Sequence, residues 1–281
     1  MPAYRTVAIV GVGLIGGSIG LGLRQRKLAE KVIGVGRRQA SLDKALACGA
    51  IHLGTTDFES GVADADVVIV ATPVNSVADD VCRATVVAES ALVTDVGSTK
   101  GEICSAIESS ATAVSERFVG SHPLAGDHRS GPEHARADLL DGKTVVVTPT
   151  TKTLDNAVSR VTEFWQSLGA QVQCMPPEQH DRALAATSHL PHLLASALAA
   201  QTPAEWLPLT ATGWADTTRV AAGDPQLWTE IFTQNKQAVS ETLVGLIDQL
   251  TELKVGLDEE NWSQIHETLQ NAKRIRDALG N

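Results

Sequence analysis

Positive charge is scarce in this chain. Its 281 residues carry 23 Lys and Arg against 33 Asp and Glu, a formal net charge of −10. A field of that sign repels phosphate backbones and anionic lipid, which argues against nucleic-acid or membrane-surface binding as the main activity. Cysteine is sparse as well. Cys48, Cys82, Cys104 and Cys174 are widely spaced with no CxxC pair, a usage that suits buried thiols in a reducing compartment better than a disulfide frame or a zinc site. No apolar run approaches the roughly 18 to 20 residues of a membrane span. Met1-Pro2-Ala3-Tyr4-Arg5 enters a strand-like run at once, without the apolar core of a secretory signal. A cytoplasmic protein is expected. What is present, 43% hydrophobic and 20% charged residues, suffices for one large or two ordinary domains with a real core.

Composition changes near residue 175. Of the 23 glycines, 18 lie in residues 1–174. There the Val/Ile-rich runs Thr6–Val10, Val32–Val35, Asp66–Ala71, Leu92–Asp95, Phe118–Ser121 and Thr144–Thr148 alternate with helix-patterned stretches, the rhythm of an α/β Rossmann-type, doubly wound parallel sheet. After Met175-Pro176-Pro177 the segments Gln179–Ala200, Pro225–Leu253 and Asn261–Leu279 carry helical periodicity and no strand is expected. The reading is a dinucleotide-binding domain over 1–174 and an all-helical domain over 175–281, sharing a cleft.

The first strand runs into Gly11-Val12-Gly13-Leu14-Ile15-Gly16-Gly17-Ser18, a GxGxxG between strand and helix. Gly11 permits the tight turn, Gly13 lets backbone approach a pyrophosphate and Gly16 allows close packing, while the N–H groups opening the helix at Leu14 and Ile15 are donors for the anion. About 20 residues on, where an acidic residue would bind a ribose 2′-hydroxyl, the chain instead reads Gly34-Val35-Gly36-Arg37-Arg38. Guanidiniums bind phosphate bidentately, so Arg37 and Arg38 favour NADP, with NAD as the alternative. Thr72-Pro73 and Ser98-Thr99-Lys100 follow later strands, at the edge where open α/β sheets bind ligands. Ser98 otherwise reads as a helix N-cap.

Gly120-Ser121-His122-Pro123 presents a histidine at that same edge, where it can take the proton from a substrate hydroxyl as hydride leaves. In Ser188-His189-Leu190-Pro191-His192, Ser188 and His192 stand four apart and can share a helix face, with Pro191 as a candidate kink. No acidic or cysteine ligand accompanies the two histidines at usable spacing, so no metal is expected. From Ala183 to Asn235, 53 residues, the sole Lys or Arg is Arg219. It pairs either with Asp216, three residues away, or with a substrate carboxylate across the cleft.

Taken in order, the glycine turn, Asp95-Val96-Gly97-Ser98-Thr99-Lys100, His122-Pro123-Leu124-Ala125-Gly126, Ser188–His192, and Thr218-Arg219-Val220 with Gly223-Asp224-Pro225-Gln226-Leu227-Trp228 make the chain resemble the prephenate and arogenate dehydrogenases of tyrosine biosynthesis over nearly its whole length. The resemblance implies a Rossmann domain, a helical dimerisation domain forming a homodimer, and oxidative decarboxylation of prephenate, or of arogenate. It makes His122 the catalytic group on the ring hydroxyl and Ser98 its neighbour, with Ser188, His192 and Arg219 lining the substrate pocket. His192 favours prephenate, whereas Asp127, in the unusual pair Asp127-His128, would suit the ammonium of arogenate. Two other readings compete. A hydroxyacid dehydrogenase or pyrroline carboxylate reductase would use a helical lysine, for which Lys236 is the nearest candidate, and a non-catalytic NADP sensor would keep the fold without the chemistry.

Overall fold

Val7, Ala8, Ile9 and Val10 are buried in succession along strand β1 (Tyr4–Val10), which requires a strand covered on both faces. In the computed structural model, which describes residues 2–126 and 129–280, β1 is central to a single sheet. The other strands are β2 (Ala29–Val35), β3 (Leu53–Thr55), β4 (Val67–Val70), β5 (Leu92–Asp95), β6 (Phe118–Pro123), β7 (Thr144–Thr148) and β8 (Gln171–Cys174), in spatial order β3-β2-β1-β4-β5-β6-β7-β8. Val7 and Ile9 join one core with Ile19, Leu23, Phe164 and Trp165, whereas Ala8 and Val10 join a second with Val77, Val81, Ile103 and Phe118. That alternation is the period of two in an extended chain. The first core lies under α1 (Leu14–Gln25), α2 (Gln39–Ala47) and α7 (Asp155–Ser167), and the second under α3 (Phe58–Val62), α4 (Val74–Val87), α5 (Gly101–Glu108) and α6 (Thr112–Arg117).

The doubly wound reading holds, with one correction. Strands β3 to β6 are parallel, but β7 runs antiparallel to β6 and β8 then runs parallel to β7. A parallel neighbour needs a crossover, usually a helix. In the described part of 124–143 there is only a short turn at Pro132–His134, which packs beside α1, where a Cβ on Gly17 would come within 3.0 Å of Ala135 Cβ. Strands β3 and β8 are additional to the expected ones: β3 is three residues long and β8 exposes Gln171, Gln173 and Cys174, so neither shows a buried run.

The second half is helical as expected, but more finely divided. The first expected helix is α8 (Pro177–Leu184), one π-helical turn (Ala185–His189) and α9 (Leu190–Gln201). Pro191, which has no N–H to give, sits in the first turn of α9 directly after the π turn. Then come α10 (Thr212–Thr218) and the tight turn Arg219–Ala222. The second expected helix breaks at Asn235 into α11 (Pro225–Gln234) and α12 (Lys236–Asp258), and α13 (Trp262–Asp277) closes the order. Among the described residues, no helix is long and apolar enough to cross a membrane.

Candidate active site

The glycine turn is shaped for a close backbone approach. Gly11 has φ +96°, and a Cβ on it would lie 2.4 Å from Ala71 O, while one on Gly16 would lie 2.1 Å from Gly11 O. Gly13 faces the opposite situation, with nothing within 4 Å of its notional Cβ. Helix α1 then starts at Leu14 without a side-chain cap and without an acidic residue in its first turn. Free N–H groups, a positive helix end and an open cradle are the properties a dinucleotide pyrophosphate needs, so the residues fit that group. Gly11 N donates to Val35 O at 2.8 Å, which brings the end of β2 alongside the turn. Arg37 and Arg38 follow directly, both exposed and neither hydrogen-bonded nor ion-paired through its guanidinium to the described residues. On the other side, Thr72 and Pro73 follow the Ala71 carbonyl that Gly11 touches, and Thr72 Oγ1 donates to Asp80 Oδ2 at 2.7 Å.

Beside this cradle β5 and β6 are pinned by a buried ion pair. Their backbone pairing runs through Thr94 and Val119. Beyond it the Asp95 carboxylate takes over, accepting from Ser121 N at 2.9 Å and from Gly97 N at 2.8 Å. Lys100 Nζ pairs with Asp95 Oδ2 and donates to Ser121 O at 3.0 Å, both side chains being fully buried. Both Asp95 oxygens are engaged and Lys100 Nζ has two partners, the kind of satisfaction under which a buried charge pair is tolerated. The cluster sets the spacing between the loop carrying Ser98 and the strand carrying His122. Ser98 itself is half-buried and its hydroxyl bonds none of the described residues. It is not the N-cap of α5: Lys100 takes that place, and the capping oxygens come from Asp181, accepting from Lys100 N and Gly101 N at 2.8 Å each.

Asp181 leads to the chemistry. Its neighbour His180, fully buried, contacts it through Nδ1 at 2.7 Å and contacts His122 Nδ1 through Nε2 at 2.8 Å. Asn235, in the break between α11 and α12, donates to Asp181 O at 2.8 Å and lies 3.0 Å from His189 Nδ1. Thr99 Oγ1 donates to Gln234 Oε1 at 2.5 Å, and Gln234 Nε2 donates to Asn75 Oδ1 at 3.0 Å. The helical half is therefore bolted to the sheet edge by side chains from α8 and the α11–α12 junction. Burial, with help from the nearby His180, Lys100 and His189, pushes the His122 pKa well below the usual histidine range. Burial likewise lowers His189 to about 4, against the opposing pull of Asp181.

His192 forms a further wall. It is buried and stacks on Trp228, ring centroids 3.6 Å apart and planes within 10°, and its Nδ1 finds no partner among the described residues. Gly223 lets the Arg219–Ala222 turn close on this stack, since a Cβ there would lie 2.5 Å from Trp228 Nε1 and 3.1 Å from His192 Cε1. Arg219 is exposed and makes no ion pair with Asp216, so the local-pair reading of that arginine fails. Ser188 sits half-buried in the π turn, beside His189, whose ring meets Trp228 edge-on at 6.1 Å. Lys236 is exposed at the start of α12. Asp127 and His128 lie outside the described residues.

Sequence reasoning missed His180, Asp181, Asn235 and the Lys100–Asp95 pair as parts of the site. The adjacent His180-Asp181 was the available signal, but nothing in a linear reading connects it to a histidine 58 residues earlier.

Residues 19–174 match the nucleotide-binding domain of prephenate dehydrogenase and residues 176–271 its dimerization domain. The chain is 31% identical to the prephenate dehydrogenase of Bacillus subtilis, over 98% of this chain and 76% of that protein. Its fold matches the prephenate dehydrogenase of A. aeolicus, solved with hydroxyphenyl propionate and NAD+, at a TM-score of 0.90 and 34% identity over 98% of both chains. It also matches a Synechocystis arogenate dehydrogenase at 0.81 and 28%, over 98% of this chain and 100% of that one. With a nucleotide cradle, a histidine at the adjoining strand end and both domains matched in order, the chain belongs to the prephenate dehydrogenase family.

Proposed function

We propose that this protein oxidises prephenate with loss of carbon dioxide to give 4-hydroxyphenylpyruvate, using NADP. The observation that carries the reading is His122, held neutral at the sheet edge beside the nucleotide cradle. The bound nicotinamide supplies a hydride acceptor. Gly11, Gly13 and Gly16 with the Leu14 and Ile15 N–H groups hold the pyrophosphate, Thr72, Pro73 and Ser98 border the nicotinamide end, and Arg37 and Arg38 take the 2′-phosphate. His122 accepts the ring-hydroxyl proton as the C4–H electron pair departs, and Ser98 orients that hydroxyl. The bond from ring to carboxylate then breaks, carbon dioxide leaves, its electron pair enters the ring, and the ring oxygen takes the proton back from His122 to give an aromatic phenol. Arg219 binds a substrate carboxylate, while Ser188 and His192 line the pocket against Trp228.

Two further parts of the reading concern assembly and location. The α12 and α13 surfaces leave Val244, Ile247, Leu257, Trp262, Leu269 and Ile275 exposed, and covering such side chains against a second copy would take them out of water, which supports a homodimer through the helical domain. The chemistry suits the cytoplasm. Arogenate is the second substrate reading, favoured by the Synechocystis likeness.

Purified protein is mixed with prephenate or arogenate and with NADP or NAD, and reduced nicotinamide is followed by absorbance. Turnover fastest with prephenate and NADP is expected. No turnover with either substrate overturns the reading.

A further inference from the structure

Three consecutive contacts make a chain that runs in one direction: the α5 N-terminus to Asp181, Asp181 to His180, and His180 to His122. The direction follows from which atoms can donate. Lys100 N–H and Gly101 N–H are backbone donors that cannot reverse, and they end on the two oxygens of Asp181 at 2.8 Å. A carboxylate only accepts, so the 2.7 Å contact between Asp181 Oδ1 and His180 Nδ1 places the hydrogen on Nδ1. In its neutral form His180 then carries its lone pair on Nε2. That nitrogen lies 2.8 Å from His122 Nδ1, so His122 Nδ1 must be the donor. The lone pair of His122 is left on Nε2, the ring nitrogen that no described residue engages.

We propose that His180 and Asp181 are positioning residues that hold His122 in the tautomer whose Nε2 is free to accept the substrate proton. The proposal rests on the reading of His122 as the proton acceptor. A histidine is a base at the nitrogen that lacks hydrogen, and the partner of the other nitrogen decides which one that is. Without His180, Nδ1 of His122 has no acceptor and the ring is free to place its hydrogen on Nε2, where it blocks the reaction. The rings of His122 and His180 also meet edge to face, centroids 5.1 Å apart at 70°, which fixes the plane in which Nε2 points. Gly101 keeps the far end of the chain in place, since a Cβ there would lie 2.8 Å from Asp181 Oδ2.

The decisive test is ring-nitrogen NMR of full-length protein labelled with 15N-histidine, without substrate, near pH 8. His122 is expected with hydrogen on Nδ1 and a bare Nε2, and His180→Leu is expected to move that hydrogen to Nε2 or divide it between the two. Kinetics supply a second reading. His180→Leu should lower kcat about a hundredfold, the ordinary worth of a general base, with KM changed less than about threefold. His180→Gln, whose amide tip carries both an acceptor and a donor, should recover much of the loss. Hydrogen on Nε2 of His122 in the unaltered protein overturns the proposal, and so does a glutamine variant no better than leucine. The unaltered protein and the glutamine variant decide the matter even where the leucine variant fails to fold. Absence of turnover with the expected tautomer present would sink the assigned reaction and leave the relay standing, whereas turnover with the opposite tautomer would do the reverse.

Discussion

Asp181 caps a helix it does not belong to, and Gly101 is the residue that makes room for it: a Cβ on Gly101 would stand 2.8 Å from Asp181 Oδ2. Gly101→Ala therefore displaces the carboxylate without touching His122. The expected result is a fall in kcat of about tenfold or more, since misplacement well under 1 Å is felt in a positioned active site. KM for prephenate should hold nearly constant, because Gly101 touches none of the proposed substrate-binding residues. Steady-state kinetics check both, and an unchanged kcat would show that the cap carries no catalytic weight.

Lys100 and Asp95 form a pair with no solvent contact. Lys100→Met leaves Asp95 as an unpaired buried charge and should cost roughly 3–5 kcal/mol of stability. Adding Asp95→Asn removes that charge and should restore part of the loss, because contacting residues are not additive. Urea unfolding of the two single variants and the double variant measures this. Equal and additive losses would mean that the pair is not a unit.

Acid should weaken the fold through its buried histidines. Burial lowers the pKa of His122, of His192 and of His189, the last to about 4, whereas in the unfolded chain these groups titrate near 6.5. Between about pH 6.5 and 4 the unfolded chain binds protons that the folded chain refuses, so stability is full above this window and declines as pH falls through it. Urea midpoints from pH 8 to 4 should show the decline, and His189→Asn should make it shallower. Turnover should fall once acid protonates His122, below the ordinary histidine range because burial lowers its pKa, and a profile with no acid limb would remove His122 as the acceptor.

Arg37 and Arg38, unpaired through their guanidiniums among the described residues, follow the end of β2 that Gly11 bonds. The double substitution Arg37→Ala, Arg38→Ala should raise KM for NADP about tenfold or more and leave KM for NAD within about twofold, each charge-assisted contact to phosphate being worth of order 1.5–3 kcal/mol. Initial rates with both nucleotides decide it. Parallel changes for the two would assign the arginines to general attraction and not to the 2′-phosphate.

Features whose physics is local were legible in the sequence. The Gly11–Gly16 turn, the buried strands and His122 at a strand end follow from spacing and periodicity over a few residues. Features built by long-range contact were not. Nothing local marks Asp181 as the cap of a helix 80 residues earlier, nor Asn235 as the residue that breaks the expected Pro225–Leu253 helix in order to reach Asp181 and His189. The antiparallel β7 was hidden for the same reason, since its valines are buried just as those of a parallel strand would be. Exposed Arg219 was found because of the charges its neighbourhood lacks, a signal that survives without knowledge of the fold.

The π turn at Ala185–His189 separates two duties carried by one continuous run of helix: His180 and Asp181 before it engage the sheet edge, and His192 after it stacks on Trp228. A π turn holds about one residue more than an α turn, and each residue rotates a helix by roughly 100°. Because the π turn absorbs that extra residue, removing one residue there would let the run close into a single α-helix with His180 and His192 still on their present sides. Slack of one residue is thus stored inside a helix, a reserve more often kept in a loop.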